Sequence, residues 1–130
     1  LYITFGFQEP NPYLISSEVE EIEEMVEAIP EGPLFTISML AGSDVQGAPD
    51  YDPDEALVPQ GHIIEWVNDD AMSHTATSSV DFGETFDTGL LNAGESYKLD
   101  TSKLDLGEYE YMCIVHPWMV STIIIEEPAQ

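Results

Sequence analysis

Short stretches in which apolar and polar residues alternate recur along the chain from residue 34 onward. In Gly61–Val67, Ile64 and Trp66 share one face of the predicted strand and Glu65 lies on the other. The other stretches with strand character are Leu34–Leu40, Thr75–Ser79, Gly94–Asp100, Gly107–Cys113 and Val120–Glu126. Roughly seven or eight short strands with turn residues between them indicate an all-β fold, a Greek-key sandwich or barrel.

Two of these predicted strands, Gly94–Asp100 and Gly107–Cys113, read as a pair of neighbouring strands. A period of two in the second strand places Tyr111 and Cys113 on the face toward the core. The acidic segment 41–59 is punctuated by glycine and proline, so we expect a long connection there.

Residues 1–33 carry a different pattern and form a separate N-terminal region before a β domain over residues 34–130. Leu1–Phe7 is aromatic and β-prone, which predicts an extended arm. Ser17 and Glu20 make a capping box, and the apolar residues that follow recur at helical spacing, which predicts an acidic amphipathic helix. Both elements must bury an apolar face, so we also expect the chain to form a homo-oligomer through residues 1–33.

The charge balance restricts the choice of partner. The chain has 26 acidic residues against Lys98 and Lys103, and its formal net charge is −24. Nucleic acid is excluded as a natural partner because its phosphates would be repelled. Two interpretations stay open: an acidic surface that is simply solvated, as in salty surroundings, or a surface that docks on a basic partner.

The cellular location is an expectation from the sequence. No run of about 18 apolar residues suggests a membrane-spanning helix. The chain starts at Leu1 rather than Met, which we attribute to removal of a signal peptide, to an anchor or to a chosen boundary. We expect an extracytoplasmic protein, secreted or anchored to a membrane before processing.

Side chains that bind metals are concentrated in Cys113–Met119 (CIVHPWM), which we call the ligand loop. Cys113, His116 and Met119 fall three residues apart, and His74 lies upstream as a second histidine. One cysteine, two histidines and a distant, weak methionine are the ligands of a type 1 copper site, so we predict one copper per chain. The alternative, a cysteine nucleophile with a histidine base, lacks an oxyanion element and an orienting acid.

Three motifs resemble those of the cupredoxins, the family of small copper proteins that includes plastocyanin and amicyanin. Gly107–Cys113 (GEYEYMC) resembles the strand that leads into the family's copper loop, and the ligand loop has the short amicyanin spacing with a proline after the histidine. Gly61–Asn68 (GHIIEWVN), followed by His74 and Thr75, resembles the hairpin of the first histidine. The resemblance covers about residues 34–127 and extends to small copper proteins of ammonia-oxidising archaea.

The resemblance implies roles for three residues that do not bind the metal. Thr75 follows the first histidine, where the family commonly forms a hydrogen bond near the thiolate. Pro117 has no N–H, so one donor to the sulfur is missing. Trp118, together with Pro117, is expected to form an apolar docking patch beside His116, from which electrons leave.

Several alternatives remain at this stage. Met119 is expected to be the axial ligand, but it could instead pack beside the loop and leave the axial position open. Trp118 could belong to the core instead of a docking patch. Met72 is a poor substitute for Met119 and is expected to be a buried loop residue, and His62 is expected to be a surface or capping residue.

Two functions compete on these grounds. The first is a soluble one-electron carrier that exchanges electrons with redox partner proteins, which the acidic charge predicts to have a basic docking surface. The second is a copper protein with an open axial site that binds and converts a small molecule such as nitric oxide or nitrite. Copper storage or delivery is a weaker third hypothesis, because a rigid thiolate site holds its metal tightly.

Overall fold

The computed structural model describes residues 32–128. Within this range the chain forms a single 3-10 turn at Thr101–Lys103 and no α-helix, and no helix is long and apolar enough to cross a membrane. The predicted arm and the predicted acidic helix lie outside the described residues. The eight strands are β1 (Leu34–Met39), β2 (Tyr51–Asp52), β3 (Ala56–Pro59), β4 (Ile63–Asn68), β5 (Thr77–Ser78), β6 (Ser96–Asp100), β7 (Gly107–Met112) and β8 (Val120–Glu126).

The strands form two four-stranded sheets, in the orders β2-β1-β4-β6 and β3-β8-β7-β5. Strand β1 is parallel to β4, and β3 is parallel to β8, while the remaining pairs are antiparallel. Both sheets are therefore mixed, and the predicted all-β Greek-key fold is confirmed.

The predicted pairing of Gly94–Asp100 with Gly107–Cys113 is wrong. Strand β6 pairs with β4, where Trp66 lies opposite Tyr97, whereas β7 pairs with β8 and β5 in the other sheet. The chain between them includes the 3-10 turn and crosses from one sheet to the other. The same kinds of turn residue join two strands of a hairpin and two strands in different sheets. The local sequence therefore did not distinguish these two connections.

The acidic segment 41–59 contains two strands instead of a plain connection. Strand β2 is only two residues long and pairs with the end of β1, which buries Tyr51. In β3, Val58 is buried while Leu57 is 55% exposed, and the strand runs parallel to β8. Strand β2 is too short to show a repeating pattern of apolar and polar residues. Strand β3 depends on pairing with β8, which lies more than 60 residues away in the chain, so its local sequence does not reveal it.

The core between the sheets contains a cluster of four aromatic side chains. Trp66 on β4 lies 5.4 Å from Phe86 in a stacked arrangement and 5.4 Å from Tyr111 on β7 in an edge-to-face arrangement, measured between ring centroids. Tyr51 meets Tyr111 edge to face at 4.7 Å. Because Tyr111 lies near the end of β7 and two residues before Cys113, this packing fixes where the ligand loop begins.

Two buried tyrosines allow a paired test of this core. The Tyr111 hydroxyl has no hydrogen-bond partner among residues 32–128, whereas the Tyr51 hydroxyl donates to the Thr75 carbonyl at 2.5 Å. Since an unpaired buried hydroxyl costs free energy, Tyr111→Phe should leave the free energy of unfolding unchanged or raise it. Tyr51→Phe should lower it by about 1–2 kcal/mol. Urea unfolding of the metal-free protein measures both, and a larger loss for Tyr111→Phe would contradict this assignment.

Candidate metal centre

The ligand loop joins β7 to β8 and is closed at its base by backbone hydrogen bonds. Strand pairing ends with Met112 opposite Val120, and the Cys113 N–H then donates to the Met119 carbonyl at 3.1 Å. Inside the loop, the His116 N–H donates to the Cys113 carbonyl at 3.3 Å and the Met119 N–H donates to the His116 carbonyl at 2.9 Å. The loop is therefore a pair of tight turns that share His116, which brings the imidazole back toward Cys113.

His74 is held by a second loop at the same end of the sandwich. Its N–H donates to the Leu91 carbonyl at 3.1 Å, and the Leu91 N–H donates to the His74 carbonyl at 2.8 Å. The turn before it is organised by Asn68, whose buried side chain donates to the Met72 and Leu91 carbonyls at 2.8 Å each and accepts from the Asp70 N–H. Every polar atom of this side chain thus constrains the backbone that presents His74.

The three side chains predicted to bind copper converge on one point. His74 Nδ1 lies 3.1 Å from His116 Nδ1, and the Cys113 Sγ lies 3.8 Å and 3.7 Å from these two nitrogens. A point equidistant from the three atoms is about 2.1 Å from each, a bond length that first-row metals make with imidazole nitrogen. Two imidazoles and a buried thiolate in a triangle of this size fit copper.

Asp70 orients the first histidine, a role that the sequence interpretation missed. Its Oδ2 lies 2.6 Å from His74 Nε2, and the Ser43 hydroxyl is 3.3 Å from the same nitrogen. A carboxylate only accepts, so the proton of His74 sits on Nε2 and the lone pair of Nδ1 points at Cys113 and His116. The available signal was an acidic residue four positions before the histidine, but it stood within a turn rich in aspartate.

The Asp70 carboxylate is buried and remains ionised. Burial by itself would raise its pKa, but hydrogen bonds from the Gly42 N–H, the His74 imidazole and the Ala71 N–H outweigh burial and lower the pKa to about 2. Three donors that favour the charged form therefore keep an anion beside His74.

Within residues 32–128, the sulfur of Cys113 receives one backbone hydrogen bond. The Thr75 N–H donates to Sγ at 3.3 Å, and the Thr75 hydroxyl oxygen accepts from the Ile114 N–H at 3.0 Å. The structure therefore places Thr75 beside the sulfur, at the position that the resemblance implied. Pro117 has no N–H to offer and is exposed in the loop.

The sequence also singled out Met119, Met72, His62 and Trp118. The structure bears on the predicted role of each one differently. Met119 is fully buried in the core cluster, and its role as axial ligand stays a prediction. Met72 is 50% exposed, so the expectation of a buried residue was wrong. His62 is at the turn before β4, apart from the metal-binding group, and its carbonyl accepts from Thr101.

Trp118 packs against both the core and His116, and its role in a docking patch stays a prediction. Its ring packs partly against the core, and its Nε1–H donates to the Ser43 carbonyl at 3.4 Å. The same ring lies 5.4 Å from the His116 imidazole in an edge-to-face contact. Trp118 is therefore a half-buried side wall of His116 and not a free surface residue.

Removing the charge of Asp70 should weaken the site and change how the fold responds to acid. Its pKa is lower in the folded chain than its usual 3.8, so its stabilising effect is complete above about pH 4 and is lost as the pH falls toward about 2. Asp70→Asn should lower the free energy of unfolding near neutral pH by about 2 kcal/mol, the loss expected for hydrogen bonds to a charged group. Urea unfolding of the metal-free variant at several pH values measures this.

Asp52→Asn is the matched control, because it removes the same charge from an exposed residue of a strongly acidic chain. Asp70→Asn should lose stability relative to this control at neutral pH, and its acid-induced loss between pH 4 and pH 2 should be smaller. Equal stability of the two variants at every pH would contradict the role given to Asp70.

Comparison with known proteins gives matches at the level of structure. No protein-family profile and no curated protein matches the chain. A purple cupredoxin from Nitrosopumilus maritimus is 30% identical, with a TM-score of 0.63, and the match covers 70% of this chain and 98% of that protein. A copper-containing nitrite reductase from Thermus scotoductus SA-01 is 27% identical, with a TM-score of 0.60, over 76% of this chain and 24% of that protein.

A Cu(I) amicyanin variant shares the fold at 20% identity, with a TM-score of 0.56, over 76% of this chain and 88% of that protein. The similarity to the purple cupredoxin spans nearly the whole of that protein, and the triangle of His74, Cys113 and His116 is a ligand group typical of cupredoxins. The chain belongs to the cupredoxin family and is a copper protein.

Proposed function

We propose that this chain is a mononuclear type 1 copper protein that carries one electron at a time between redox partner proteins. The observation that carries the proposal is the triangle of ligand atoms, which is already assembled by the protein's own hydrogen bonds. A site whose ligands are held in place changes little in shape between two oxidation states. Small reorganisation favours fast electron transfer.

The donor atoms suit both oxidation states of the metal. Copper supplies the one-electron chemistry when bound, with the soft sulfur favouring Cu(I) and the imidazoles tolerating Cu(II). The chain's residues hold these donors: Asp70 fixes the tautomer of His74, Thr75 donates to the Cys113 sulfur, and the loop turns hold His116. Burial of His74 and Cys113 excludes water from two of the three ligands.

Electrons would enter and leave near His116, the one partly exposed ligand. Around it, Ile114 and Val115 are 48% and 49% exposed, and Pro117 is also exposed. These three side chains form an apolar rim, from which a docked partner would displace water. Because the chain carries a net charge of −24, we propose that the partner presents a basic surface around its own apolar contact.

The second candidate function is redox conversion of a small molecule at an open axial position. The similarity to part of a copper-containing nitrite reductase favours it, although the match spans only 24% of that protein. Met119 counts against it, because this methionine is fully buried and its backbone is hydrogen-bonded to both Cys113 and His116, which suits an axial ligand better than an open position. The carrier is therefore the preferred function.

Substitution of the ligands tests the metal centre itself. Cu(II) loading should give an intense visible thiolate-to-metal absorption band, and Cys113→Ser should abolish it because the thiolate is lost. His74→Ala should disturb the band strongly, while His62→Ala, the matched control, should leave it unchanged because His62 lies apart from the ligand group. A colourless wild-type protein with stoichiometric copper would refute the type 1 assignment.

Met119→Leu distinguishes the carrier from the open site. If Met119 ligates, its replacement should clearly shift the visible band and the reduction potential, and reactivity with azide or nitric oxide should appear. Met39→Leu is the control, since Met39 is equally buried but lies in β1. In wild-type protein the band should be inert to both molecules. Bleaching by nitric oxide with formation of nitrite would overturn the carrier function.

A further inference from the structure

A line of hydrogen bonds leads from the ligand loop to a carboxylate outside the metal site. The Ile114 N–H donates to the Thr75 hydroxyl oxygen at 3.0 Å, and that hydroxyl lies 2.9 Å from the hydroxyl of Thr77. The Thr77 hydroxyl donates to Asp87 Oδ1 at 3.0 Å. We call this line, from Ile114 through Thr75 and Thr77 to Asp87, the threonine relay.

The direction of every proton in the threonine relay follows from its last member. An ionised carboxylate only accepts, so the single proton of the Thr77 hydroxyl points at Asp87. The Thr77 oxygen is then free to accept, and the Thr75 proton points at Thr77. The Thr75 oxygen in turn accepts from the Ile114 N–H. All donors point toward Asp87, and hydrogen bonds aligned in this way strengthen one another.

The two threonines of the relay are shielded from water, and the half-buried Asp87 at its far end is held in place. Thr75 and Thr77 are 2% and 1% exposed, so water does not compete for their hydroxyls. Asp87 Oδ1 also accepts from the Gly89 N–H at 2.9 Å. On the other side, Gly83 approaches so closely that a Cβ placed on it would lie 2.9 Å from Asp87 Oδ2 and 3.2 Å from the Thr77 methyl group. The carboxylate is therefore confined by its own loop.

The relay matters to the metal site because Thr75 contacts two successive residues of the ligand loop. Its N–H donates to the Cys113 sulfur and its hydroxyl oxygen accepts from the Ile114 N–H. A change in the orientation of the Thr75 hydroxyl therefore moves the backbone next to the thiolate. We propose that Asp87 is a positioning residue of the copper site, which acts through Thr77 and Thr75 on the thiolate of Cys113. The proposal concerns the site itself and holds for either use of the copper.

Thr77→Val is the main test, because valine keeps the shape of threonine and removes the hydroxyl in the middle of the relay. In the metal-free protein, amide exchange of Ile114 should be about fivefold faster, the change expected when one hydrogen bond is weakened. In the Cu(II) protein, the visible thiolate-to-metal band should shift. Thr77→Ser restores a hydroxyl and should bring both readouts back toward wild type.

Thr101→Val is the matched control for loss of a buried threonine hydroxyl. The Thr101 hydroxyl accepts from the Gly61 N–H at 2.8 Å and donates to the His62 carbonyl at 2.7 Å, and neither partner touches the relay. This variant should lose stability without changing the Ile114 exchange or the visible band. If Thr101→Val changes both readouts as much as Thr77→Val, the role of Asp87 is refuted.

Asp87→Asn tests the carboxylate directly. It is also the second variant with which the proposal is tested if Thr77→Val does not fold. The amide oxygen can still accept from Thr77 but carries no charge, so Ile114 exchange should accelerate by about twofold and the band should shift in the same direction as in Thr77→Val. Asp52→Asn, which removes an exposed charge, should do neither. Wild-type exchange and colour in Asp87→Asn would overturn the proposal.

Discussion

The metal site depends on one residue, Thr75, whose polar groups all join different parts of the molecule. Its N–H donates to the Cys113 sulfur, its hydroxyl oxygen accepts from the Ile114 N–H, and its carbonyl accepts from Tyr51. It also directly follows His74. Hydrogen bonds from the buried Thr75 thus connect the loop of His74 to the loop of Cys113 and His116. Because Thr75 is buried, water cannot compete for these bonds.

The packing of the hydrophobic core fixes the positions of the groups that make these contacts. Trp66 from one sheet and Tyr111 from the other pack edge to face, so the two sheets are fixed relative to each other near the site. The antiparallel pairing of β7 and β8 then places Cys113 opposite Met119 at the base of the ligand loop. Because close-packed interiors resist deformation, the core holds the loops that carry the ligand triangle in fixed positions.

The acidic residues of the chain have two different environments. Asp70 is buried and accepts a hydrogen bond from His74, while the half-buried Asp87 accepts one from Thr77. Most other carboxylates in the described part of the chain are exposed or half-exposed and face solvent. Most of the acidic charge in the described part of the chain is therefore at the surface, while Asp70 accepts a hydrogen bond from a ligand side chain inside the site.

The copper ligands and most strands could be predicted from the sequence because both signals are local. Cys113 and His116 lie within four residues, and the predicted axial ligand Met119 follows three residues later. Strands such as Val120–Glu126 are recognisable from their own residues, because valine, isoleucine and threonine favour strands. His74 was predicted as the upstream histidine from the ligand set, and the resemblance to cupredoxins supported that choice.

Other features were decided only by the tertiary structure. The pairing of β6 with β4, the two-residue strand β2, and the contacts of Asp70 and Asp87 were not apparent from local sequence. Each depends on where a distant segment lies or on the direction in which a side chain turns within a loop. Aspartate in a turn looks the same in sequence whether it faces solvent or accepts a buried hydrogen bond, because only packing around it removes the water.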